Sequence, residues 1–167
     1  MLRLKYLLIF LSVISTAAVG QSQSPTLPAA APGLGKVSFP ISCKPEVRPL
    51  FERGVALLHS FQYAAAQKAF TDVSLGDPQC AMAYWGLAMT TYHPLWEGAN
   101  AKALARGRDY LDKAKKIGTA DPREREYMSA LEIIFNTRSK DDRLAGYSRA
   151  LTELCKHNPE DGEAQAF

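Results

Sequence analysis

One pattern of apolar residues and prolines recurs three times in this chain and limits the fold more than any other feature. In each copy, three residues spaced by four and three positions precede a proline five positions further on. The copies are Ala66, Phe70, Val73, Pro78; Tyr110, Ala114, Ile117, Pro122; and Tyr147, Leu151, Leu154, Pro159. Spacings of four and three place side chains on one face of an α-helix. The prolines are 44 and 37 residues apart, a period typical of stacked helical repeats.

The stretch from residue 49 to residue 92 predicts a helical hairpin. A first helix begins near Pro45 or Pro49 and carries apolar residues on more than one side, so we expect it to pack against two neighbours. Gly54 inside it costs up to about 1 kcal/mol relative to alanine, which close approach of a partner helix would explain. A second helix is predicted over residues 63–75 and ends at Gly76.

The dipeptides Asp-Pro and Asn-Pro predict the starts of three further helices, at residues 77–78, 121–122 and 158–159. Aspartate and asparagine are favoured as helix N-caps, and proline is favoured at the first helical position. Glu124, three residues after Asp121, completes a capping box with it. Arg123, Glu124, Arg125 and Glu126 alternate in sign, which is typical of a solvated first turn.

These elements resemble the tetratricopeptide repeat family, whose motif is a pair of antiparallel helices in 34 residues. When the first unit is counted from Val47, the family's small, small, aromatic and proline positions are occupied by Gly54, Ala66, Phe70 and Pro78. The second unit carries an insertion at residues 93–98, and the third is more degenerate. The first unit therefore carries most of the resemblance.

The resemblance implies an all-α fold, a right-handed solenoid of antiparallel helix hairpins with about five to six helices. A helical domain over residues 45–167 would contain units at 47–80, 81–124 and 125–161, and then the start of another helix. The repeat-signature positions would be structural, namely Gly54, Ala66, Phe70, Pro78, Ala114, Pro122 and Pro159.

A narrower resemblance, in the segments LLHSFQYAAAQKAF, DPQCAMAYWGLAM and YHPLW, is to exported bacterial tetratricopeptide-like proteins. Those proteins are usually much longer, and this chain stops inside what should be a new helix. Solenoid ends need a polar capping helix. We therefore expect a fragment of a longer protein, with a short natural protein whose last helix dimerises as the alternative. A scaffold part whose activity lies beyond residue 167 is one alternative for its function.

The first twenty residues have the pattern of a signal peptide. Arg3 and Lys5 precede an apolar run over residues 6–14, and small residues lead to a cleavage site between Gly20 and Gln21. The apolar run is short for a membrane-spanning helix, which needs about 20 residues. The sequence predicts a periplasmic or secreted protein without a membrane span after cleavage, with an uncleaved anchor as the alternative.

The part of the chain that follows the predicted signal peptide begins with a linker and has little net charge. Residues 21–44 are rich in Ser, Pro, Ala and Gly, which predicts a flexible linker. Without Arg3 and Lys5, 18 Lys and Arg residues face 17 Asp and Glu residues, a net charge of +1. Overall charge therefore gives no support to a nucleic-acid partner.

Export also bears on the three cysteines, because disulfides persist in oxidising compartments. Cys43 precedes the first helix and Cys80 stands in the first turn of the third, and these ends come together in a helical hairpin. A Cys43–Cys80 disulfide is the preferred pair, with Cys155 left over. Three separate buried thiols are the alternative, since free cysteine packs like a small hydrophobe.

The resemblance implies a concave groove lined by the first helix of each unit. The lining positions of the first two units are Arg48, Phe51, Val55, Leu58, His59, Met82, Trp85, Met89, Tyr92 and His93. Aromatic residues, methionine and arginine are enriched at protein interfaces, so a peptide or a partner helix could lie there. The same stripe also fits a buried core that the linker or another helix fills, and the sequence leaves both interpretations open.

The favoured function is a non-catalytic scaffold of the cell envelope that binds another protein or a peptide. No nucleophile–base arrangement, metalloprotease motif or glycine-rich phosphate loop occurs in the sequence, so we expect no enzyme and no cofactor. A metal- or cofactor-binding protein that uses His59, His93 and Cys80 is the alternative. Those two histidines stand at the same position of successive units and would face one space.

Overall fold

The computed structural model describes residues 33–93 and 100–167, and the regular structure within them is entirely helical. The predicted all-α class is thereby confirmed. Within these residues lie seven α-helices rather than five or six: α1 (Arg48–His59), α2 (Tyr63–Gly76), α3 (Ala81–Met89), α4 (Ala101–Ile117), α5 (Pro122–Asn136), α6 (Lys140–His157) and α7 (Gly162–Ala166). A 3₁₀ turn, Pro45–Val47, leads into α1. The predicted signal peptide, residues 1–20, lies outside the described residues.

Successive helices pack in pairs, α1 with α2, α3 with α4 and α5 with α6. Helix α2 also packs on α3, and α4 packs on α5. Direct contacts run from α1 to α3 and from α3 to α5. We call the side formed by α1, α3 and α5 the first-helix face. In the part of the chain that is described, no helix is long and apolar enough to cross a membrane.

The spacing of the first three helices is set by one aromatic ring. Phe70 of α2 is fully buried, and its ring lies against the glycines of both neighbouring helices. A Cβ atom at Gly54 would lie 2.6 Å from this ring, and one at Gly86 would lie 2.4 Å from it. Since Cβ contacts this short are essentially never seen, a larger residue at either position would force the Phe70 ring or a helix to shift. The close approach that Gly54 predicted is therefore made through the side chain of Phe70.

The three predicted helix starts have different outcomes. The one at residues 158–159 is wrong, because α7 begins at Gly162 with Asp161 as its N-cap. Asp121 is the N-cap of α5, and its side chain accepts a hydrogen bond from the Arg123 backbone N–H at 2.8 Å. Helix α5 thus begins at Pro122, three residues before the predicted third unit. Helix α3 begins only at Ala81, because residues 77–80 form a separate turn in which the Cys80 N–H donates to the Asp77 carbonyl at 3.0 Å.

Asp77 accepts hydrogen bonds from the backbone N–H groups of Lys44 at 2.9 Å and of Gln79 at 3.2 Å. It therefore closes a turn and fixes the chain before α1. The N-cap of α3 is Cys80, which offers no side-chain cap.

The last part of the predicted flexible linker is packed into the core. We call residues 39–43 the strap. Phe39, Ile41 and Cys43 are buried, with 1%, 4% and 5% of their surface exposed. The strap alternates buried apolar residues with exposed ones, so one side of it faces the helices. The composition of residues 21–44 therefore misplaced the end of the linker.

A disulfide joins the strap to α3. Cys43 and Cys80 are bonded, with Cα atoms 5.0 Å apart, which is the preferred pair of the two interpretations that the sequence left open. Cys155 is a free, half-buried thiol on α6. The covalent bond, together with Asp77, fixes the end of the strap at the start of α1 and α3.

Candidate functional site

The centre of the first-helix face is filled by aromatic residues of the chain itself. The ring centroid of Phe39 lies 5.2 Å from that of Phe51 in α1, 5.5 Å from Trp85 in α3 and 4.9 Å from Tyr127 in α5. On the other side, the ring of Phe167 lies 5.6 Å from Trp85. We call these five residues the aromatic cluster. It occupies the place where the sequence predicted a groove.

The predicted groove residues accordingly divide into three groups. Four are fully buried and belong to the core in this structure: Phe51, Val55, Met82 and Trp85. Arg48 is exposed, and its Nε donates a hydrogen bond to the Cys43 carbonyl at 3.2 Å. The others lie towards the C-terminal ends of α1 and α3 or just beyond them: Leu58, His59, Met89, Tyr92 and His93.

An apolar pocket of about 320 Å³ lies at these C-terminal ends. Helices α1, α3 and α5 supply Leu58, Met89 and Ile134, and Tyr92 follows α3. The remaining wall comes from the end of α1, the α1–α2 connection, the start of α2, α5, α6 and the end of α7 with the residue after it, through His59, Phe61, Tyr63, Leu131, Leu144, Tyr147, Ala166 and Phe167. This volume falls within the usual range for ligand pockets, roughly 300–1,000 Å³.

Two large apolar side chains of this pocket are exposed to solvent. Phe61 has 49% of its surface exposed, and Leu144 has 40%. Among the described residues, Leu75 is the other large apolar residue with such exposure, and it does not line the pocket. Exposed apolar residues grouped around a pocket are typical of binding sites.

Phe61 also has an unusual backbone conformation. Its φ is +56°, and it is the non-glycine residue with positive φ in the described part of the chain. A bulky residue in this left-handed region costs about 1–2 kcal/mol. Strained residues are concentrated at functional sites, and this one lies at the mouth of the pocket.

A buried ion pair lies between α5 and the start of α7. Arg123 Nε donates to Asp161 Oδ2 at 2.5 Å, and the Tyr127 hydroxyl donates to the same oxygen at 2.8 Å. The guanidinium lies over the rings of Phe39, at 4.4 Å, and of Tyr127, at 4.9 Å. Arg123 therefore does not form the solvated turn that alternating charges predicted, because aromatic rings and a carboxylate surround it.

The environment of this pair shifts its pKa values. Burial alone would raise the pKa of Asp161, but hydrogen bonds from Arg123 and Tyr127 outweigh it and lower the pKa below the ordinary value. Burial and the adjacent Asp161 carboxylate raise the pKa of Tyr127, so this phenol stays neutral in the physiological range. The pair is thus ionised and the phenol is a hydrogen-bond donor at neutral pH.

His59 and His93 do not share one set of partners. His59 Nε2 lies 2.7 Å from Glu163 Oε2, and its ring lies 4.6 Å from that of Phe167. His93 stacks on Tyr63 at 4.0 Å and bonds to the Thr90 carbonyl at 3.0 Å.

The third residue of the metal hypothesis, Cys80, is bonded to Cys43. Within residues 33–93 and 100–167, no group of three or more His, Cys, Asp and Glu residues could hold a metal ion. The histidines therefore give the metal hypothesis no support in the described part of the chain.

Comparison with protein-family models, with curated protein sequences and with solved structures found no significant match in any of the three. The family suggested by the sequence therefore stays a prediction.

Proposed function

We propose that this chain is a non-catalytic binding module that holds an apolar segment of another protein in the pocket between α1, α3, α5 and α6. One observation carries the proposal. Phe61 and Leu144 are exposed at the mouth of a pocket whose floor is apolar, whereas most other large apolar side chains of the described residues are buried. Aromatic anchors that fill such pockets dominate the affinity of protein interfaces.

The proposed architecture is the tetratricopeptide-like, right-handed stack of helix hairpins. The pairwise packing of successive helices and the contacts between α1, α3 and α5 support it. The buried ring of Phe70, which packs between Gly54 and Gly86, also supports it. The family motif has a small residue at the position of Gly54 and an aromatic residue at the position of Phe70.

The proposed location is the cell envelope or the outside of the cell. The basic and apolar pattern of residues 1–20 supports export. The Cys43–Cys80 disulfide supports an oxidising compartment, since structural disulfides are rare in the cytosol.

The binding proposal is tested with the full chain and a random peptide library. Selected peptides are labelled, and their Kd values are measured by fluorescence anisotropy. We expect F61N and L144S to weaken binding by about tenfold or more, because each removes an apolar contact at the pocket mouth. The control is L75S, which removes an exposed apolar side chain that does not line the pocket. Equal losses in all three variants, or no loss in the first two, would contradict the proposal.

A further inference from the structure

We infer that the first-helix face recognises a helical segment with two acidic residues and one aromatic residue, and that residues 161–167 occupy this site within the chain. In this segment the acidic residues are Asp161 and Glu163, and the aromatic residue is Phe167. The inference rests on the proposed function and names the chemistry of the partner. Four observations on the described residues support it.

The first acidic residue is received by α5. The side chain of Asp161 is only 5% exposed and takes hydrogen bonds from Arg123 and Tyr127 through Oδ2. Its Oδ1 accepts from the backbone N–H groups of Glu163 and Ala164, both at 3.2 Å, and so caps α7. One carboxylate thus starts the helix and anchors it to the first-helix face.

The second acidic residue and the aromatic residue are received by α1 and α3. Glu163 pairs with His59 at 2.7 Å, with side-chain exposures of 15% and 29%. The Phe167 ring lies on His59 and on the edge of Trp85. Between these anchors, Ala164 is 3% exposed, so the segment lies closely against the protein. The Asp161 carboxylate therefore meets the charged guanidinium of Arg123, which is charge complementarity, and the Glu163 carboxylate lies within hydrogen-bond distance of the His59 imidazole.

The receiving residues are held in place by other parts of the chain. Arg123 Nη1 donates to the Pro40 carbonyl at 2.9 Å, and the rings of Phe39 and Tyr127 flank the guanidinium. Trp85 is fully buried against Phe39 and Phe51. A site that is organised before its ligand arrives loses less entropy on binding. A segment of the same chemistry on another molecule would therefore find the same site.

Residues 161–167 leave one hydrogen-bond donor of this site without an acceptor. Arg123 Nη2 is buried and lacks a hydrogen-bond partner within the described residues. A carboxylate that accepts from both Nε and Nη2 is the geometry arginine prefers, but Asp161 uses its second oxygen to cap α7. A ligand carboxylate that accepts from both nitrogens would therefore make a hydrogen bond that Asp161 does not make.

The test uses the full-length variant E163Q/F167A, in which the internal segment is weakened and every receiving residue is kept. The probe is a fluorescent peptide with the sequence of residues 158–167, blocked at both ends. We expect it to bind this variant about tenfold tighter than the unmodified chain, where residues 161–167 compete. Peptides that carry D161N or F167A should bind at least about tenfold more weakly than the parent peptide.

A double-mutant cycle separates recognition from a structural effect. H59A is added to the variant, and the parent peptide is compared with the E163Q peptide. Direct recognition predicts that H59A weakens the parent peptide at least about threefold more than the E163Q peptide, which keeps only the contact of Phe167 with the His59 ring. If E163Q/F167A loses its helical circular dichroism, the single variant E163Q replaces it in every comparison.

Equal affinity of all the peptides, or no binding to a folded variant, would overturn the inference. These outcomes are distinct from failure of the proposed function. If library peptides still depend on Phe61 and Leu144, the pocket binds a partner of another chemistry, and only the inference about residues 161–167 falls.

Discussion

The carboxylate of Glu124 accepts two hydrogen bonds from Ser42, from its backbone N–H at 2.5 Å and from its hydroxyl at 2.7 Å. These residues are 82 positions apart in the chain. Glu124 is fully buried and also accepts from the Thr119 hydroxyl at 2.6 Å. It was predicted to cap its own helix, but it fixes the strap to α5 instead.

We expect Glu124→Gln to lower the free energy of unfolding by about 2 kcal/mol, because hydrogen bonds to a charged group contribute about 1.5–3 kcal/mol. The glutamine side chain would also turn an NH₂ donor towards Ser42 and Thr119, which now donate to the Glu124 carboxylate. Urea unfolding followed by circular dichroism measures this. The control is Glu132→Gln on the same helix, which breaks a partly exposed pair with Lys115 and should cost less than about 1 kcal/mol. Equal effects would show that the strap contacts contribute little.

Gly86→Ala should destabilise the protein by about 1–3 kcal/mol, because its Cβ would overlap the ring of Phe70. In the F70L background the added cost should be smaller, since the ring is gone. Thermal unfolding of the unmodified protein, G86A, F70L and the double variant measures the energetic coupling between the two substitutions. Gly35→Ala is the control, because a Cβ there meets nothing within 4 Å. An additive result would contradict the packing of Phe70 between two glycines.

Phe61→Asn should raise the free energy of unfolding by about 1 kcal/mol while it weakens peptide binding, since asparagine tolerates positive φ. Urea unfolding measures the stability. Leu144→Ser lies at the same pocket without the backbone strain, so it should weaken binding and leave stability within about 0.5 kcal/mol. A loss of stability in Phe61→Asn would show that the ring contributes more than its conformation costs.

Removal of the disulfide by C43S/C80S should cost about 3–4 kcal/mol, the chain-entropy value for a loop closed across 37 residues. The comparison is made in denaturant with and without reductant. Reductant should lower the denaturant concentration at which the unmodified protein unfolds and leave that of the variant unchanged. Cys155→Ser is the control, because Cys155 is a free thiol. Reductant sensitivity that persists in C43S/C80S would point to another bond.

The stability contributed by Asp161 should depend on pH. Its pKa in the folded protein lies below the ordinary value of 3.8, so its contribution is present above that value and is lost as the pH falls through the folded pKa. Asp161→Asn should therefore destabilise the protein at pH 7 and do so much less near pH 2.5. Thermal unfolding across this range tests it, with exposed Asp109→Asn as control. A pH-independent difference would exclude the charge as the cause.

Local features of the helices were predictable from the sequence. The bounds of α2, the N-cap Asp121 and the close approach at Gly54 depend on residues near in sequence and on helix periodicity. The start of α3 was misplaced, because Asp77 serves both the backbone of Lys44 and its own turn. Propensity rules do not include a competing acceptor role of this kind.

The candidate site was less predictable, because its contacts join distant residues. The alternating charges around Arg123 predicted solvent, whereas Asp161, 38 positions away, and the ring of Phe39 surround it. The isolated apolar residues Phe39 and Ile41 in a polar linker were the available signal for the strap. Phe61 gave no signal, since its positive φ depends on how α1 meets α2.

The position of Phe39 also determines where an independently folding piece of this protein can begin. Cutting before Pro45 would keep the seven helices of the described residues yet remove a ring that touches α1, α3 and α5 together. The gap left behind would resemble that of a large-to-small core substitution, which costs about 3–5 kcal/mol for phenylalanine. Any fusion, trimming or recombination of this domain should therefore place its junction upstream of the strap.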